Sequence, residues 1–139
     1  MRIVTAEEIL ETRGHTELVD VTARVQAAVD KAGIAHGQAM VFVPGSTASV
    51  TTIEDEPGLR ADFRAALEQI APEGAAYQHD QRWGDGNGYA HVRAALLGPS
   101  VVVPVADGRL MLGTWQQIVL VDFDNRPRTR RLVIQIMGE

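Results

Sequence analysis

Apolar and polar positions change period several times along this chain, and each change marks an element. Residues 2–13 alternate weakly, the pattern of a strand, and a second short strand is expected at Glu17–Asp20. Val21, Val25, Ala28, Val29 and Ala32 then recur at helical spacing, with Gly33 where a C-terminal cap belongs. Two further strands, 38–43 and Ala48–Ile53, are separated by Pro-Gly-Ser-Thr. A second helix starts near Pro57, with Glu54, Asp55 and Glu56 suited to the positive end of its dipole. Leu59, Phe63, Ala66, Leu67 and Ile70 mark its buried face, and Pro72 ends it.

The second half changes to period two. Strands at 101–105 and 110–112 flank Asp107-Gly108, a tight-hairpin signal. Strands at 116–123 and 130–137 read as another pair, joined through Asp124-Asn125-Arg126-Pro127. In the last strand Leu132, Ile134 and Ile136 share one face, opposite Arg131, Val133 and Gln135. The class expected is α+β: one domain over 1–139, helices covering an antiparallel sheet.

Composition narrows the partners more than the fold. The 139 residues suit one domain, 45% hydrophobic and 22% charged. A formal charge of −5 speaks against a general nucleic-acid binder. Without cysteine, disulfides and thiolate metal sites are excluded. No apolar run approaches the roughly 18 residues of a membrane helix, and MRIVTAEEILETRG lacks a signal peptide's apolar core. A soluble cytoplasmic protein without membrane partners is expected.

Candidate chemistry gathers around WGDGNGYAHVRAALLGPS, residues 83–100, where glycines, an aspartate and an asparagine precede a short helix carrying His91 in its first turn. His79 and His91 flank the glycine loop, and neutral imidazoles bind zinc or move protons near pH 7. Asp85 is a third ligand or a group orienting a histidine; a surface His79 and a packed or capping His91 are the bland alternative. His15 and His36 read as surface residues. Ser46 and Thr47 in the Pro-Gly-Ser-Thr connection offer hydroxyls and amides to an anion, although an ordinary strand connection explains them equally. Arg82 and Arg93 bracket the loop and suit phosphate or carboxylate, or simply solvation. Glu54 and its acidic neighbours either hold magnesium or start the helix. Trp83, Tyr89 and Trp115 stack on a flat ring or pack in a core or interface.

Read together, PGSTASVTTIEDEP (44–57), YQHDQRWGDGNGYAHVR (77–93), LGPSVVVPV (97–105), LGTWQ (112–116) and the terminal MGE resemble the YjbQ family, also known as an uncharacterised protein family and as secondary thiamine-phosphate synthases. The resemblance implies a trimer of compact α+β subunits with a polar pocket near a subunit interface. It also implies low-level thiamine-phosphate synthase activity, in which a pyrimidine pyrophosphate alkylates a thiazole phosphate and releases pyrophosphate. The family's polar cluster falls on His79, Asp85, Asn87 and His91, with Glu54 at the acidic position after the second of the central strands. Two departures stand out. Gly45 occupies a position where many members have histidine, and Arg93 one where lysine is common.

The expected site therefore has His79, His91 and Asp85 as catalytic groups. Ser46, Thr47, Arg82, Asn87, Arg93 and Trp115 hold a phosphorylated ligand, and His79, His91 and Glu54 hold Mg2+ or Zn2+. A non-catalytic trimer binding a metabolite or metal is the alternative, and a metal-dependent hydrolase a further one, weakened by the glycine at 45.

Overall fold

The structure is a computed structural model covering every residue from Met1 to Glu139. The chain runs β1 (Arg2–Thr12), β2 (Glu17–Asp20), α1 (Thr22–Ala32), β3 (Gly37–Phe42), β4 (Ala48–Ile53), α2 (Pro57–Ile70), α3 (Gln78–Trp83), α4 (Gly88–Leu97), β5 (Ser100–Ala106), β6 (Arg109–Leu110), β7 (Gln117–Asp122) and β8 (Arg128–Gly138). The α+β class matches the expectation, but the strands form two antiparallel sheets, β1-β8-β3-β5-β6 and β2-β7-β4.

The expected pairing of the last two long strands is corrected by this topology. Strand β7 pairs with β2 and β4, whereas β8 pairs with β1 and β3, so residues 124–127 cross between sheets. Burial explains the separation. Ile118 and Leu120 face the core shared by the two sheets, while Val119, Val121 and Phe123 face a second core beneath the helices. A continuous apolar run suits a strand covered on both faces. Strand β8 keeps strict alternation: Leu132, Ile134 and Ile136 are fully buried, and Val133, Gln135 and Met137 are half-buried on the outer face.

Helix α1 adds Val25, Val29 and Ala32 to the inter-sheet core and ends at Gly33 in left-handed backbone. Helices α2 and α4 cover the other face of β7, where Leu67, Tyr89, Ala90 and Ala94 meet Leu18, Val119, Val121 and Phe123. The predicted apolar face of α2 is only partly used. Leu67 is buried, Leu59 and Phe63 are half-buried, and Ala66 and Ile70 stay exposed. Its start is also more specific than a dipole argument: Glu56 is the cap, its carboxylate accepting from the amides of Gly58 and Leu59, while Asp55 binds Arg60. The hairpin at Asp107-Gly108 forms as read, although β6 is confined to Arg109–Leu110. No helix is long and apolar enough to cross a membrane.

Candidate functional site

Helix α3, absent from the sequence reading, delivers His79, and α4 delivers His91 across the glycine loop. The first helix stops at Gly84, whose left-handed backbone (φ 72°) returns its amide to the Asp80 carbonyl. A side chain at Gly88 would collide with the Tyr77 ring, so the second helix can begin tight against the first. Asn125 pins the loop by donating to the Asp85 carbonyl. The two imidazoles thereby stand 4.3 Å apart between ring centroids, tilted by 38°.

Around His79 the nearest carboxylates are Asp80, 3.2 Å from Nδ1, and Asp85, 3.6 Å from it. One ligand atom from each of these three residues falls within 4.8 Å of the others, close enough to converge on one cation. The donor set, one imidazole and two carboxylates, fits an oxygen-preferring divalent ion or zinc. This differs from the expected set. His91 stacks on His79 without joining the converging atoms. Glu54 lies six residues beyond Ala48, past the opposite end of β4, about 20 Å along an extended strand. The member of this cluster that the sequence analysis passed over is Asp80, whose carboxylate also accepts the Gly88 amide at 2.8 Å; its adjacency to His79 was the available signal.

His91 is half-buried, and burial is the main force holding its pKa below 6.5. The His79 ring acts in the same direction, against Asp124, Asp85 and Asp80. A neutral imidazole near pH 7 can donate from one nitrogen and accept at the other. It lines a cleft of about 350 Å3 together with Gly45, Ser46, Ala48, Ala94 and Pro99. Gly45 takes φ 136°, a conformation that side chains rarely adopt.

Beneath this cleft lies a charge network that the sequence reading missed. Asp122 and Asp124 are fully buried, and Arg130 is 8% exposed. Arg130 grips Asp122 through Nε (2.7 Å) and Nη2 (2.9 Å), and Nη2 also donates to Thr47 Oγ1. Thr47 in turn donates to Asp124, which also receives Arg128, Asn87 and the Asn125 amide. Burial alone would raise the Asp124 pKa, but these donors outweigh it and hold it below 3.8. Two aspartates and two arginines, each pair at i, i+2 and so on one strand face, were the legible sign.

The network changes what the expected ligand groups do. Thr47 is buried, with its hydroxyl engaged at both ends. Asn87 is buried too, its Nδ2 fixed on Asp124 and its Oδ1 unpaired. Arg93, 2% exposed, donates to the Ala71 carbonyl, Thr16 Oγ1 and Glu68, and lies 5.1 Å from the Tyr89 ring centroid. It ties α4 to α2 rather than facing a ligand. Arg82 remains on the surface over Trp83. Trp115 is exposed beside Gln116, which reaches Thr52. Thr52 is four residues along β4 from Ala48, about 13 Å away, so Trp115 belongs to the other end of the sheet. Ser46 alone of the expected hydroxyls lines the cleft.

This geometry sits on a frame shared by proteins from distant organisms. A UPF0047 protein of Archaeoglobus fulgidus is 40% identical over 94% of this chain and 99% of its own length. YugU of Bacillus subtilis is 35% identical over 93% and 96%. A YbjQ-like protein of unknown function from Sulfolobus solfataricus superposes with a TM-score of 0.89 at 33% identity, covering 99% of this chain and all of its own. A YjbQ/UPF0047 protein of Clostridium acetobutylicum gives 0.87 at 35%, over 95% and 99%. The family model described as UPF0047 protein YjbQ-like matches residues 7–139, and the chain belongs to that family.

Proposed function

We propose that the cleft beside His79 and His91 is the reactive centre of an enzyme for a phosphorylated small molecule. The reaction to test first is the thiamine-phosphate synthase type that the sequence resemblance implies. One observation carries this reading: two imidazoles 4.3 Å apart, one flanked by two carboxylates, beside a cleft lined by the other. Paired titratable groups in unlike surroundings are a frequent mark of acid–base sites.

In that reaction the pyrimidine methylene carbon loses its bond to pyrophosphate and gains one to the thiazole nitrogen. Negative charge develops on the leaving group, and a divalent ion, when bound, would supply charge neutralisation. His79, Asp80 and Asp85 are the residues that would hold the ion. His91, kept neutral by burial, offers an N–H to a phosphate oxygen. Ser46 supplies a hydroxyl inside the cleft, and Arg82 a cation on the adjoining surface.

A second reading, binding without turnover, is favoured by Arg93 and Thr47, which turn their polar atoms inward. Incubating the protein with pyrimidine pyrophosphate, thiazole phosphate and Mg2+, with mass detection of thiamine phosphate, separates the two. The enzyme reading expects product from the native chain and a loss of about a hundredfold or more in His91→Ala, the order ascribed to removing one preorganised hydrogen-bond donor from developing negative charge. Substrates recovered unchanged while saturably bound would establish the binding reading.

A further inference from the structure

Arg130 has one nitrogen with nothing to do. Its Nε and Nη2 are committed to Asp122 and Thr47, while Nη1 makes no hydrogen bond. Unlike the sealed Asn87 Oδ1 and Tyr89 hydroxyl, that nitrogen retains access to solvent. What uncovers it is the residue above: a Cβ built on Gly45 would stand 3.0 Å from Nη1. Gly45 also lines the cleft shared by Ser46 and His91.

We infer that the absent side chain at position 45 opens an oxyanion subsite at the edge of the cleft, in which Arg130 Nη1, lying behind Gly45, donates to a phosphate oxygen. The proposal deepens the reading of this cleft as a ligand site but requires neither metal nor turnover. Three features support it. The guanidinium is more than nine-tenths buried and held by two bonds to one carboxylate, so its free N–H is fixed in direction before any ligand arrives. Charge-assisted bonds from arginine to oxyanions are among the stronger hydrogen bonds in proteins. Ser46 and His91 line the same cleft and can donate to the remaining oxygens of a tetrahedral group.

Because Asp122 and Asp124 balance Arg130 and Arg128, attraction comes from this unused donor rather than from net positive charge. Weak, specific binding is therefore expected, with phosphate or pyrophosphate preferred over acetate. The donor to phosphate expected at Arg93 is, in this proposal, Arg130 instead.

The test is calorimetric titration of phosphate, pyrophosphate and acetate into EDTA-treated protein, paired with nitrogen-15 NMR of the arginine side chains. Saturable phosphate and pyrophosphate binding is expected, at least tenfold weaker in Gly45→Ala and unchanged in Arg24→Ala, which removes an exposed arginine away from the cleft, with the Arg130 guanidinium resonances shifting on titration. If the strained backbone at 45 prevents Gly45→Ala from folding, the NMR shifts in the native chain decide. No binding, or binding that leaves Arg130 unmoved, overturns the subsite. Turnover without this binding would sink the subsite alone, and this binding without turnover would sink only the catalytic reading.

Discussion

At position 93 an arginine that reads as a phosphate ligand proves to be a tie between helices. Arg93→Ala leaves the Ala71 carbonyl and Thr16 hydroxyl without their donor, at roughly 1–3 kcal/mol for each buried group left unpaired. A large fall in thermal midpoint with phosphate binding intact in the folded fraction is the expected outcome; the reverse would return Arg93 to the ligand site. His91 gives the opposite kind of test. Because its folded pKa lies below 6.5, the unfolded chain binds more protons there, so its contribution to stability is complete above that value and declines as pH falls toward the folded pKa. His79→Ala removes the neighbouring ring's unfavourable charge and part of the burial, so the His91 pKa should rise, as an NMR titration of metal-free protein would show. An unchanged value would mean that the rings are not coupled. The histidine beside the glycine loop was legible because residue type and chain setting agreed. Asp80 and Arg130 were harder to read: Asp80 stands beside His79 in the sequence, but its convergence with Asp85, like the burial of Arg130 beneath Gly45, arises only once the helices and sheets are in place.

Among the elements, β7 and β8 carry the clearest lesson about what local pattern fixes. Alternation located both strands, and apolar facing in β8 was read correctly, yet their mutual pairing was not: a four-residue polar connection fits a hairpin as well as a sheet-to-sheet crossing. The decisive feature is Asp122-Phe123-Asp124, whose aspartates turn inward to Arg130 and Arg128 where the crossing occurs. Replacing Asp124 by Asn removes a carboxylate that answers two buried or half-buried cations and three further donors. Breaking a buried pair in this way costs about 3–5 kcal/mol, readable in a denaturation curve. A loss within 0.5 kcal/mol would show that the network contributes little. The same carboxylate gives an acid limb. Its folded pKa lies below 3.8, so the stabilisation it provides is complete above that value and fades as pH falls through the folded pKa. In α2, periodicity overstated burial because only the part of the helix facing Phe123 and Tyr89 finds a covering surface, leaving Ile70 63% exposed.

At the scale of the whole molecule, the outer face of the five-stranded sheet is the surface that bears on assembly. Ile3, Ile9 and Val102 are each more than half exposed there, with half-buried Met40, Val133 and Met137 between them. Apolar surface of this kind often marks an interface. Together with the sequence resemblance it leads us to expect a homotrimer, and light scattering should give about three times the 15.1 kDa chain mass. A value near one chain would contradict it, and a trimer left intact by Val102→Asp would show that this face is not its interface. The central claim, that His79, Asp80, Asp85 and His91 form a ligand site rather than an elaborate turn, is tested most directly by one paired measurement on Asp85→Ala. The Asp85 side chain is 53% exposed, and its backbone carbonyl, not its carboxylate, anchors the loop. Its removal should therefore shift stability by no more than about 0.5 kcal/mol. Calorimetry of Zn2+ and Mg2+ should show at least a tenfold loss of affinity in a variant whose thermal midpoint matches the native chain. Affinity unchanged, or stability lost with metal binding intact, would make the loop architecture and contradict the account.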